Sequence, residues 1–165
     1  MNEHRSLCDG LQHRFTFRVR PEPVPGDLRP EWRISVILLM LLRCGRNESM
    51  SLKKALMVNW AVLTKETQNT LLRMVAGDRR LSDIPVRFDP ALNRASDFAR
   101  AEGLLYVEKK TTGSIIKLLP KGSEIAEKIY REKDCLETEK TFFNRLRGKL
   151  PEEKVKELLE WETTL

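Results

Sequence analysis

The chain has few of the residues on which most enzyme chemistry depends. Its 165 residues include only two histidines, His4 and His13, and both lie near the start of the sequence. No Ser-His-Asp or Cys-His set is therefore expected within ordered elements. A phosphate-binding loop of the G-x-x-x-x-G-K type is also absent from the sequence. These absences predict a protein that is not an enzyme and that has no catalytic residues and no cofactor.

Cysteine is equally sparse. The three cysteines, Cys8, Cys44 and Cys135, are widely spaced, and none belongs to a Cys-x-x-Cys pair. This spacing indicates neither a disulfide framework nor a zinc ribbon, and it favours a reducing compartment. The histidine, cysteine and aspartate residues near the start fit no standard zinc spacing, so no metal is predicted.

Long hydrophobic runs are missing as well. The most apolar run, "ISVILLMLL" from Ile34 to Leu42, is bracketed closely by Arg33 and Arg43. It has about half of the ~20 residues that a membrane-spanning helix needs. We interpret it as a buried helix, and we expect a cytoplasmic protein with no membrane partner.

What the chain does have is charge. Charged residues make up 33% of it, and lysine and arginine exceed aspartate and glutamate to give a net charge of +6. Such an excess permits an anionic partner such as nucleic acid. The same excess is compatible with an ordinary solvated surface, and only the positions of the charges can distinguish the two interpretations.

Three helices are predicted after a proline-rich arm. Pro30 opens the first and Gly45 closes it, and because it is apolar almost all round it should be the central core helix. Ser49 or Ser51 caps the second, and Thr64 opens the third. In the second helix a set of four apolar residues and one asparagine recurs at helical spacing: Leu52, Leu56, Asn59, Trp60 and Leu63.

A fourth helix follows a short alternating segment. Residues 84–88 alternate apolar and polar side chains, which predicts a strand that could pair with the hairpin downstream. Asp89 is placed to cap the next helix, with Pro90 at its first position and Gly103 after its end. The face predicted to be buried consists of Leu92, Ala95, Phe98 and Ala99.

Two apolar runs, "LLYVEKK" and "SIIKLLP", come next. They are joined by Thr111, Thr112 and Gly113, and a short polar link with glycine between two such runs predicts a β-hairpin. Ser123 is then predicted to cap a further helix.

The end of the chain is helical and rich in charge. Its apolar side chains could either pack on the protein's own core or form a docking face for another chain. The candidate partner-binding residues are Phe142, Phe143, Leu158 and Trp161.

The order helix, glycine, strand, polar tip, strand and then "LPKGSEIAEKI" resembles that of winged helix-turn-helix regulators. The resemblance covers roughly residues 31–131, with Leu119 and Pro120 where leucine and threonine are usual. It implies a mostly α fold with a small β-hairpin (α+β). The predicted organisation is an N-terminal arm (1–30), a winged helix domain (31–131) and a C-terminal helical extension (132–165).

In that family the helix before the wing enters the major groove of DNA. The exposed face of the corresponding helix would present arginine, which suits guanine, and asparagine, which suits adenine, while wing lysines could neutralise phosphates. Asp97 lies in the middle of this face and weakens its positive field. The candidate DNA-binding residues are Asn93, Arg94, Arg100, Lys109, Lys110 and Lys117.

A second resemblance concerns the segments "RPEWRISVILLMLL", "NWAVL" and "VRFDPALNRASDFARAEGLL". They are similar to the middle component of bacterial three-component ABC-ATPase systems, which are associated with defence against phage or plasmid DNA. The resemblance implies an accessory subunit that joins a large SMC-like or Rad50-like ATPase to a third component and touches double-stranded DNA. The alternative is a stand-alone transcription regulator that forms a homodimer through its terminal helices.

Overall fold

The computed structural model describes residues 29–78, 89–111 and 113–160. Most of the predicted arm, the strand predicted at 84–88, Thr112 and Trp161 lie outside these residues. In the described ranges the chain is mostly helical, with a small antiparallel sheet. The helices are α1 (Pro30–Cys44), α2 (Leu52–Val62), α3 (Lys65–Val75), α4 (Pro90–Ala101), α5 (Pro120–Arg131), α6 (Glu137–Leu146) and α7 (Glu152–Glu160). The strands are β1 (Ser49–Ser51), β2 (Leu105–Lys110) and β3 (Gly113–Leu118).

Helix α1 is the centre of the core, as its composition predicts. Residues 36–41 are each at most 1% exposed, and the helix packs against α2, α4, α5 and α6. It ends at Gly45, but not through the left-handed conformation expected of a glycine cap, because Gly45 has φ −75°. A Cβ there would lie 2.3 Å from the carbonyl oxygen of Leu41 and 2.9 Å from the backbone of Ser49. Close backbone approach, rather than a positive φ, is the reason for this glycine.

The buried face of α2 differs from the prediction. Ser51 caps the helix by accepting a hydrogen bond from the backbone N–H of Lys54, and Asn59 is buried as expected. The core side, however, is formed by Ala55, Met57, Val58, Ala61 and Val62. Of the predicted apolar set, Leu63 is 37% exposed, and Leu52, Leu56 and Trp60 are only partly buried. Because α2 is apolar on both sides, periodicity alone could not choose between the two faces.

Helix α3 begins as predicted. Thr64 is its N-cap, and its hydroxyl and that of Thr67 form a reciprocal capping box with each other's backbone N–H groups. Leu71 and Met74 are buried, and Leu72 and Val75 are partly buried against the same core. The helix therefore follows its local signals closely.

The predicted hairpin is present, but the sheet has three strands in the order β1-β3-β2. Lys110 pairs with Gly113 at the tip of the hairpin. The third strand is β1, which pairs with β3 through Met50 and Ile116. A strand of three residues is too short to show an alternating pattern, and the sequence there indicated only a helix cap. Met50, Ile116 and Leu118 turn their side chains towards the core.

Helix α5 begins four residues earlier than predicted. Pro120 occupies its first turn and Leu119 is the N-cap, so Ser123 is not the cap but lies inside the helix. The Ser123 hydroxyl instead donates to the carboxylate of Glu48 at 2.6 Å. The proline sets the start because its φ suits a first turn and its missing N–H costs nothing there.

The C-terminal helices pack on the same core as the rest of the chain. Phe142, Phe143 and Leu158 are each at most 1% exposed and belong to one continuous apolar cluster with α1. The indole N–H of Trp32 also donates to Glu139 on α6. These three apolar side chains therefore pack on the protein's own core and have almost no exposed area that a partner could contact.

The apolar run of residues 34–42, which was predicted to be a buried helix, lies within α1. This helix has 15 residues, which is shorter than a membrane-spanning helix. Among the helices in the described part of the chain, none is both long enough and apolar enough to cross a bilayer.

Candidate nucleic-acid interface

Helix α4 carries three of the predicted DNA-binding residues, and its start is defined locally. Asp89 is the N-cap and accepts from the backbone N–H of Ala91 at 2.9 Å, while Pro90 fills the first helical position. Leu92, Ala95 and Ala99 face the core. These contacts leave the opposite side of α4 to solvent.

Phe98 is not on the buried face, where the sequence placed it. Its side chain is 59% exposed. At 100° per residue it lies at the edge of the stripe formed by Leu92, Ala95 and Ala99. The two alanines in that stripe bring α4 close to α1, so the bulky ring remains outside the contact.

The exposed side of α4 has two flanks. Helical spacing places Asn93, Asp97 and Arg100 on one flank, and Arg94 and Phe98 on the other. Arg100 forms an ion pair with Asp97 at 3.4 Å. Arg94 is exposed, and no carboxylate of the described ranges pairs with it. The mid-face aspartate therefore neutralises one predicted DNA-binding arginine and leaves the other available.

The three predicted wing lysines are exposed but do not share one face of the hairpin. Register places Lys117 opposite Tyr106 and Lys109 opposite Ser114. Because side chains alternate along a strand, Lys110 and Lys117 project from the outer face of the sheet and Lys109 from the other. Lys110 forms an ion pair with Glu108 at 3.4 Å. Both faces of the hairpin thus carry a positive charge, at modest density.

A buried polar network fixes the first turn of α4 to two other helices. The Oδ2 atom of Asp89 accepts from the guanidinium of Arg33 on α1 at 2.6 Å and from the amide of Asn59 on α2 at 3.0 Å. Arg33 also donates to the amide oxygen of Asn59 at 3.3 Å. One carboxylate therefore caps α4 and joins it to α1 and α2.

The protonation of Asp89 follows from its neighbours. Burial by itself would raise the pKa of this carboxyl, but hydrogen bonds from Asn59 and Ala91, with the charge and hydrogen bond of Arg33, outweigh it and lower the pKa. Asp89 is thus a charged anchor at neutral pH. A partial signal for this network is present in the sequence, because Arg33 and Asn59 are polar positions within largely apolar helices.

Metal-ligand clusters and the reactivity of the buried cysteine can be assessed in the part of the chain that the structure describes. No group of three or more histidine, cysteine, aspartate or glutamate side chains could hold a metal ion there. Burial raises the pKa of the Cys44 thiol to about 12, although Lys54 and Arg43 act in the opposite direction. This thiol therefore stays protonated and is a poor nucleophile.

Comparison of the chain with protein-family models, with curated proteins and with solved structures gave no match. The residues of the candidate interface themselves indicate which ligand it could bind. The interface offers amide and guanidinium groups on an exposed helix, followed by a hairpin with lysines on both faces. These are groups that donate hydrogen bonds to base edges and neutralise phosphates.

Proposed function

We propose that the chain is a non-catalytic subunit of a DNA-associated assembly and that residues 31–131 form a winged helix-turn-helix domain. The observation that carries the proposal is the arrangement of α4, β2 and β3. A helix with a polar exposed side leads directly into an antiparallel hairpin, and the short strand β1 completes the sheet in the order β1-β3-β2. In this arrangement α4 corresponds to the recognition helix and the hairpin to the wing.

In the proposed complex α4 lies in the major groove. Asn93 and Arg100 on one flank, and Arg94 on the other, face the base edges and the adjoining phosphates. Lys109, Lys110 and Lys117 contact the backbone. Since Arg100 and Lys110 are already paired with acidic side chains, the net attraction is modest. We therefore expect weak binding with little dependence on DNA sequence.

Weak DNA contact suits an accessory subunit better than a stand-alone regulator. The segments that resemble the middle component of three-component ABC-ATPase systems support a role between a large ABC-type ATPase and a third component, in defence against foreign DNA. A regulator would need a dimer through the terminal helices. The apolar side chains Phe142, Phe143 and Leu158 are buried within the chain, which leaves those helices little apolar surface for a second copy.

Duplex binding tests the DNA part of the proposal. The wild-type chain should bind unrelated duplexes, each about two helical turns long, with similar and weak affinity that falls as salt rises. Charge reversal of Arg94 and Arg100 to glutamate should weaken binding by roughly tenfold or more, as measured by fluorescence anisotropy.

The matched control reverses Lys154 and Lys156 on α7, which gives the same change in net charge away from α4 and should alter affinity by less than about twofold. Equal affinity of the wild type and the Arg94→Glu, Arg100→Glu variant would contradict groove contact. Tight binding of one palindromic duplex by a dimer would favour the regulator instead.

The assembly part of the proposal is tested by co-purification. Tagged chain should bring down a large ABC-type ATPase encoded beside it, in a complex that survives DNase treatment. Recovery of the chain alone from its native host would contradict the accessory role.

A further inference from the structure

A cleft opens on the flank of α4 that faces away from Asn93 and Arg100. It has a volume of ≈ 240 Å³ and lies between the first half of α4 and the beginning of α1. Its lining residues are Pro30, Arg33, Ala91, Arg94, Ala95 and Phe98.

The lining is mainly apolar, and Phe98 dominates it. At 59%, Phe98 has the most exposed large apolar side chain among the described residues. The ring stands beside Ala91 and Ala95, which leave room above the helix because their side chains end at Cβ. An exposed aromatic side chain next to a small concavity is typical of the centre of a protein interface.

The charged side chains of the cleft are both cationic. The charge of Arg33 is balanced by Asp89 at 2.6 Å, whereas no described carboxylate pairs with Arg94. Acidic side chains do not contribute to the lining as described. Charge complementarity therefore favours an occupant with a carboxylate that can reach the Arg94 guanidinium.

The cleft is small and has fixed walls. Its volume is below the roughly 300–1,000 Å³ of typical small-molecule sites, and it is sufficient for one apolar side chain. One wall, Arg33, is held by hydrogen bonds to Asp89 and Asn59. The other lining residues lie on α1 and α4, so the backbone needs little rearrangement when an occupant enters, and the exposed side chains of Arg94 and Phe98 become ordered.

We propose that this cleft is the docking site for an acidic segment of a partner protein, which inserts one apolar side chain against Phe98 and places a carboxylate on Arg94. The inference deepens the proposed function, on which it rests, by giving the chemistry of the partner. Duplex DNA fits less well, since it offers phosphate to Arg94 but no apolar side chain to Phe98. The chain's own arm also fits less well, because Phe15 and Phe17 are flanked by arginines that Arg94 would repel.

Selection from a random peptide library displayed on phage, with the full chain as bait, tests the proposal without a known partner. We expect enrichment of peptides that carry an aliphatic or aromatic residue within a few positions of aspartate or glutamate. For a synthetic copy of an enriched peptide, Phe98→Ser and Arg94→Glu should each lower affinity by about tenfold or more.

Two matched variants serve as controls. Tyr106→Ser removes another exposed aromatic side chain, and Arg100→Glu reverses a charge on the other flank of α4. Each should change peptide affinity by less than about twofold. Phe98→Ser should also leave duplex affinity unchanged, which separates this inference from the DNA contact; loss of duplex binding in the Arg94→Glu, Arg100→Glu variant tests that contact independently.

Three results would overturn the docking site. The first is no enrichment beyond that obtained with the Phe98→Ser chain as bait. The second is enrichment that appears only after Phe15 and Phe17 are replaced by alanine, which would make the arm the occupant. The third is a fall in duplex affinity in Phe98→Ser with no peptide selected, which would make the cleft a DNA contact.

Discussion

A buried cation lies at each end of α1, Arg33 from α1 itself and Lys54 from α2, and the two are held in different ways. At the N-terminal end, Arg33 is paired with the carboxylate of Asp89 at 2.6 Å, and Asn59 joins both groups. At the C-terminal end, the ammonium group of Lys54 donates to the backbone carbonyl of Cys44 at 2.8 Å. The first cation has a charged partner and the second a neutral acceptor.

The difference between the ends matches what each end does. The network of Arg33, Asn59 and Asp89 determines where α4 begins, and with it the orientation of the exposed side of α4. The C-terminal end carries no candidate interface residue, and close backbone packing at Gly45 secures it. Charged and polar contacts thus position α4 at one end of α1, and close backbone packing holds the turn at the other end.

The largest expected effect is at the N-terminal end. Arg33→Met keeps the length and apolar stem of the side chain but leaves Asp89 without its cation. Breaking a buried ion pair from one side costs about 3 kcal/mol in the free energy of unfolding, which urea denaturation would measure. Lys128→Met breaks an exposed pair with Glu124 on α5 and should leave the free energy of unfolding almost unchanged, because solvent screens that pair. Equal effects of the two substitutions would contradict the comparison.

The dependence of stability on acid pH tests whether Asp89 is charged in the network at the N-terminal end of α1. The pKa of Asp89 is lower in the folded protein than its ordinary value of 3.8. Its contribution to stability is therefore fully present above pH 3.8 and is lost as the pH falls through the folded pKa. The stability difference between the wild type and Asp89→Asn should shrink below pH 3.8. A difference that stays constant through the acid range would contradict the assignment of Asp89 as a charged anchor.

The next effect in size is at the C-terminal end. Gly45→Ala brings a Cβ to 2.3 Å from the carbonyl oxygen of Leu41, so the backbone around α1 and β1 has to move. Overpacking of this kind costs about 2 kcal/mol in the free energy of unfolding. Thermal and urea denaturation should agree on the loss. A neutral outcome would mean that the turn between α1 and β1 relaxes freely.

The smallest effect is expected for the second cation. Lys54→Met removes one hydrogen bond to the end of α1 and also removes the cost of burying an ammonium group, so stability should change by less than about 1 kcal/mol. Burial lowers the pKa of Lys54, although Glu152 acts in the opposite direction.

The pH dependence of this change has a definite sign. Because the folded pKa lies below the ordinary value of 10.5, the unfolded chain binds more protons between the two values. Stability of the wild type relative to Lys54→Met should therefore rise with pH through that interval. A fall over the same range would contradict a lowered pKa.

Three elements of the fold, α1, α4 and the hairpin, were predicted from the sequence because a local signal defines each of them. Proline at the first turn located α1, Asp89 with Pro90 located α4, and two apolar runs around a polar link located the hairpin. These features depend on neighbours in the chain, so they can be predicted without knowledge of the packing.

The remaining features depend on contacts between distant segments. Arg33 and Asp89 are 56 positions apart, so the sequence could identify a cap and a polar flank but not the pair. The short strand β1 exists because β3 offers it an edge, and the buried face of α2 is set by its packing against α1, α3 and β3. Of the candidate interface, the exposure of Asn93, Arg94 and Arg100 was predicted, whereas the outward position of Phe98 was not.

The most direct test of the DNA-contacting role is a titration of isotope-labelled chain with a duplex about two helical turns long, followed by ¹⁵N–¹H correlation spectra. Amide shifts should concentrate between Asn93 and Arg100 and along β2 and β3, and they should be reduced together by added salt. Shifts confined to α6 and α7, or none at all, would contradict the assignment of α4 and the hairpin as the DNA-facing surface.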